Sequence, residues 1–175
     1  MPFCRKEGIF LDQSFQSLLR MQTPLKKEAE NLMQLNRVTA SRGLQLSPKD
    51  AEELALARRD ALNRSGRIEI GSETVVKIAA AFAGSAYLTQ ADYAAVLEEA
   101  TEAFYELKNE SEDAIPDDEL IRLLADGFER YGGELGRFLI SRELDAKLRA
   151  ARYGAAPEED SDKDDGDGGE DEPDE

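Results

Sequence analysis

Apolar residues recur at intervals of three and four along most of this chain, with helix caps and breakers between the runs. The clearest run is Tyr93, Leu97, Ala100, Phe104 and Leu107, spaced four, three, four, three. That spacing predicts a helix whose seam faces the core of a bundle. Leu120, Ile121, Leu124, Phe128 and Tyr131 repeat the pattern after Pro116, and the "YGG" at 131–133 stops it. A last helix is predicted over about 134–153, on Leu135, Phe138, Leu139, Leu144 and Leu148, ending at Gly154. Upstream, Leu25, Ala29, Leu32, Leu35 and Val38 predict a helix over about 25–42 that Gly43 closes. Val75, Ile78, Ala79 and Phe82 predict another that ends near Gly84, and 12–22 reads as a short helix before Pro24.

The start signals are explicit in places. Ser47 reads as a cap, Pro48 as the first helical residue and Asp50 as the acid three positions on. This helix runs through Leu54, Ala55, Ala61 and Leu62 to Gly66. Ser72 and Thr89 are read as the caps of the next two helices, Asp92 completing a box with Thr89.

Two segments alternate as strands do: "LQL" at 44–46 and "RIEI" at 67–70. The helix between them is roughly 24 Å long, while each segment spans only about 10–13 Å at one of its ends. Pairing would scarcely overlap them. They are predicted to be extended connectors whose apolar side chains plug the core. The fold class is therefore all-α: a single-domain bundle of about six helices at 24–153, an N-terminal segment at 1–23, and a tail at 154–175.

Charge sharpens that division. The net charge is -16, yet residues 157–175 hold twelve acids against Lys163, a net of -11. That leaves -5 for residues 1–156. The tail has no aromatic and no aliphatic residue larger than alanine, a composition that predicts disorder. The mildly acidic body and the strongly acidic tail both argue against nucleic acid. No apolar run reaches membrane-spanning length and no signal-peptide core follows Arg5 and Lys6, so a cytoplasmic setting is expected. Cys4 is the one cysteine and there is no histidine. The chain thus lacks an internal disulfide, the usual general base, and every Ser-His or Cys-His nucleophile pair.

The most site-like passage is "KNESEDAIPDDEL", 108–120. Glu110, Asp113, Asp117 and Asp118 are hard oxygen ligands of the kind calcium or magnesium takes. The EF-hand pattern fails, because Ala114 stands where glycine must turn the loop and Leu120 where glutamate must chelate. Capping accounts for the same residues. Asn109 suits a left-handed helix end, Pro116 a first helical position, and Asp117, Asp118 and Glu119 the positive end of a helix dipole. Glu98, Glu99, Glu102 and Glu106 form an acidic stripe opposite the Tyr93–Leu107 seam, a solvated face on which a basic partner could dock. Arg58, Arg59, Arg64 and Arg67 are the local basic cluster and read as solvated surface arginines. Tyr87, Tyr93, Tyr105 and Tyr131 read as core residues with wet hydroxyls.

"GRIEIG" at 66–71, "FAGSAYL" at 82–88 and "FYELKNESEDAIPDDEL" at 104–120 together resemble a small bacterial family of unknown function. The resemblance covers about 32–148. It implies a bacterial setting and carries no activity, cofactor or site residue with it. The residues themselves point to a non-enzymatic protein-interaction module without cofactor or metal, its acidic tail free to contact a basic partner. The alternative is a divalent-metal-dependent enzyme or sensor built on Glu110, Asp113, Asp117 and Asp118.

Overall fold

A computed structural model describes residues 24–154. The predicted helix at 12–22 and the acidic tail lie outside the described residues. Among those described, the fold is all-α and contains no strand. Helix α1 covers 24–32. It is followed by α2 (Asn36–Thr39), α3 (Pro48–Ser65), α4 (Glu73–Phe82), α5 (Tyr93–Glu110), α6 (Asp117–Arg130), α7 (Leu135–Leu139) and α8 (Arg142–Tyr153).

Helix α5 is the axis of the bundle. All five of its seam residues are buried, and α3, α4, α6 and α7 pack against it. Helix α3 starts as its sequence dictates. Ser47 Oγ accepts from Asp50 N at 3.2 Å and Asp50 Oδ2 accepts from Ser47 N at 2.9 Å. The bond from Ser47 N holds the Asp50 carboxyl below its ordinary range. Gly66 closes the helix at φ 66°, in the left-handed region glycine enters without steric cost.

Other boundaries differ from the sequence reading. The 25–42 helix is interrupted by 3₁₀ turns at Met33–Leu35 and Ala40–Arg42. Tightening to three residues per turn rotates the face, so Thr39 is buried and Val38 is 63% exposed. The Thr39 hydroxyl donates to Leu44 O at 2.8 Å. Ser72 makes no capping bond to α4. Helix α5 begins at Tyr93 because the Thr89 hydroxyl donates to Asp92 Oδ2 at 2.7 Å rather than capping an amide. Pro116 is the N-cap of α6 and Asp117 its first residue. The predicted 134–153 helix is two helices. Ser141 Oγ accepts from Leu144 N at 3.2 Å and starts α8 afresh, leaving Ile140 exposed at the break.

Between α6 and α7 the packing is as close as atoms allow. A Cβ added at Gly127 would lie 2.3 Å from Phe138 Cδ1, so the Phe138 ring seats directly on the α6 backbone. Tyr131 packs against the same ring at a tilt of 54°, with 5.7 Å between centroids.

The connectors behave oppositely. Leu44 and Leu46 are buried, as expected. Ile68 and Ile70 do not plug the core: they are 96% and 95% exposed. The cause lies in what stands behind them.

Candidate functional site

Arg58 is not a surface arginine. It follows Ala51, Leu54 and Ala55 on the inner face of α3 and is only 4% exposed. A guanidinium cannot be buried without partners to replace water, and two segments supply them. Nη1 donates to Glu28 Oε1 of α1 at 2.5 Å. Nη2 donates to Gly71 O at 2.5 Å and lies 3.4 Å from Glu69 Oε2. Nε has no partner among the described residues. Glu69 is held from two further sides: Thr74 of α4 donates to Oε1 at 2.7 Å, and the Tyr105 phenol of α5 donates to Oε2. Burial pushes the Tyr105 phenol up, and its bond to Glu69 pushes it further.

This knot sets the facing of the 67–70 stretch. Arg67 and Glu69 turn inward, so by period-two geometry Ile68 and Ile70 turn out. The stretch itself, from Arg67 to Ile70, forms one wall of a cavity of about 320 Å³. Leu62, Phe104, Thr74 and Tyr105 line it as well, and Glu73, Lys77, Lys108 and Asp117 contribute charge.

The hinge between α5 and α6 forms the adjoining wall. Its left-handed residues are Glu112 (φ 51°) and Asp113 (φ 61°), not Asn109. The predicted acidic residues do converge in part, but on an ammonium. Lys108 Nζ, on a side chain 9% exposed, lies 2.8 Å from Asp117 Oδ1 and 3.2 Å from Asp113 Oδ1, and donates to Ile115 O at 2.9 Å. Asp113 also accepts from Arg67 at 2.6 Å, and that bond holds its carboxyl low. Asp118 is drawn away to Lys77 at 2.8 Å, and Glu110 is exposed. Among the described residues, no group of three or more potential ligands is placed to hold a metal ion.

The remaining candidates are scattered. Arg64 pairs with Glu102 of the acidic stripe at 3.1 Å, an exposed contact. Burial raises Glu98 and Glu99. Tyr93 and Tyr105 are buried, Tyr131 partly so and Tyr87 half exposed. The Tyr93 phenol is buried, and that burial pushes it up. Sequence reasoning missed Arg58, although its helical phase with Leu54 and Leu62 was visible. It missed Lys108 because a basic residue at a helix end is ordinarily a dipole partner in water.

Among the described residues no helix is long and apolar enough to cross a membrane. No curated protein and no solved structure matches the chain. A family model does match, over residues 31–157, and its span contains the hinge, the 66–71 turn and every member of the knot except Glu28. The chain belongs to that family, the family of unknown function DUF6323.

Proposed function

We propose that this domain is a non-enzymatic protein-interaction module of the bacterial cytoplasm whose docking element is the 67–71 segment. The observation that carries the reading is the outward pair Ile68 and Ile70, 96% and 95% exposed on a stretch fixed from behind by Arg58. Burying an isoleucine is worth about 1.5–3 kcal/mol, so two held out by a buried ion pair leave a sizeable driving force for a partner. The polar groups beside them favour docking over chemistry. Lys108 meets three oxygens, and Glu69 accepts from Thr74 and Tyr105 with the Arg58 guanidinium 3.4 Å away, so both are already engaged within the fold.

A photo-crosslinking phenylalanine analogue at position 68 or 70, in cells expressing the full chain, tests this. Discrete higher-mass adducts are expected from both positions and not from position 38. Adducts absent at 68 and 70, or equally abundant at 38, would refute it.

A further inference from the structure

Resting on that reading, the backbone of the same segment says how the partner binds. Among the described residues, the N–H groups of Ile68, Glu69, Ile70, Gly71 and Ser72 find no acceptor, and the carbonyls from Arg67 to Ile70 find no donor. Gly66 N and Arg67 N are spent on the end of α3, and Gly71 O on Arg58. The stretch therefore offers an unpaired polar edge between two outward isoleucines, the template an added strand takes.

Charge selects the occupant. The charged residues lining the cavity balance, Arg67, Lys77 and Lys108 against Glu69, Glu73 and Asp117; their ion-pair partners outside it, Arg58 against Glu28, Asp113 and Asp118, bring the set to -2. Each cation is already paired with a carboxylate. Glu73, exposed in the first turn of α4 and lining the cavity, has no ion-pair or hydrogen-bond partner among the described residues. A cavity of about 320 Å³ has space for a long side chain.

We infer that the 67–70 edge receives, by strand addition, a partner segment in which β-branched residues alternate with lysine or arginine. One basic side chain enters the cavity towards Glu73. The apolar residues lie across from Ile68 and Ile70, where β-branched pairs stabilise each other. The -11 of residues 157–175 raises the encounter rate of such a segment and repels acidic ones.

A phage-displayed random octapeptide library, selected on the full chain, is the test. Enriched peptides should alternate Val, Ile or Thr with Lys or Arg. Selection on Glu73→Lys should shift the charged positions to Asp or Glu. The best peptide, remade with N-methyl groups on alternate residues, should lose at least about tenfold in affinity as its edge hydrogen bonds vanish. Ile68→Asn with Ile70→Asn should lose as much while keeping its helical circular dichroism, since neither side chain supports the core. Acidic or unpatterned winners, indifference to N-methylation, or enrichment that survives the double variant would each overturn the inference. So would concentration-dependent self-association abolished by the double variant, which assigns the edge to a second copy of the chain. Crosslinks at 68 together with any of these results would leave the docking element standing and remove only this mode of binding.

Discussion

The connectors 44–46 and 67–70 carry the same alternation of apolar and polar residues and fold inside out relative to each other. In the first, Leu44 and Leu46 point in and Gln45 points out. Its polar backbone is fully engaged. The Asn36 amide brackets Leu46, accepting from N at 2.7 Å and donating to O at 2.9 Å, and the Gln90 amide does the same for Gln45 at 2.7 and 2.8 Å. In the second, Arg67 and Glu69 point in because Asp113, Arg58, Thr74 and Tyr105 wait for them. Alternation fixes that a stretch has two faces; the partners already on the scaffold decide which face is inside.

That contrast can be broken from either side. The largest effect is expected from Arg58→Ala, which leaves the part-buried carboxylates of Glu28 and Glu69 without their counter-charge and opens a void where the guanidinium was buried. A loss of about 3–5 kcal/mol is predicted by denaturant unfolding, and the 67–70 stretch should lose its inward anchor. Next, Leu46→Ala should cost about 2–5 kcal/mol, whereas Ile70→Ala should stay within about 0.5 kcal/mol of the parent. Equal costs at the two positions would mean that the second connector is packed after all. The smallest effect concerns acid. The Asp113 carboxyl is held below its ordinary value chiefly by Arg67. Its contribution is therefore present above the unfolded value of about 3.9 and is lost as pH falls through the lowered folded value. The group is half exposed and solvent-screened, so Asp113→Asn should remove only about 0.2–1 kcal/mol near neutrality. Stability curves from pH 2 to 7 for parent and variant should converge at the acid end.

What the sequence made legible is what local chemistry decides. The α3 capping box, the Gly43 and Gly66 stops and the α5 seam rest on residues within a few positions of one another. The all-α class follows from the seams alone. The misreadings share a cause of another range. Val38 lost its core place to Thr39 through a 3₁₀ turn, with the Leu44 carbonyl ready to take the hydroxyl. Thr89 gave its hydroxyl to Asp92. Ile68 and Ile70 were displaced by an arginine eleven residues upstream and a tyrosine 36 residues downstream of Glu69. Of the hinge acids only Asp113 and Asp117 converge, and they do so on Lys108, a residue of the preceding helix. Burial of a charge depends on where its counter-charges arrive, and spacing along one helix does not carry that information.

The missing side chain at Gly127 has a consequence for every sequence that shares this fold. Because the Phe138 ring occupies the volume a methyl group there would need, the two positions form a lock in which one residue's size dictates the other's. A relative with alanine or anything bulkier at the first must carry something slimmer than phenylalanine at the second, or else shift α7 away from the bundle. Variation at these sites should therefore come in matched pairs, and each pair would report how firmly the far end of the bundle is closed.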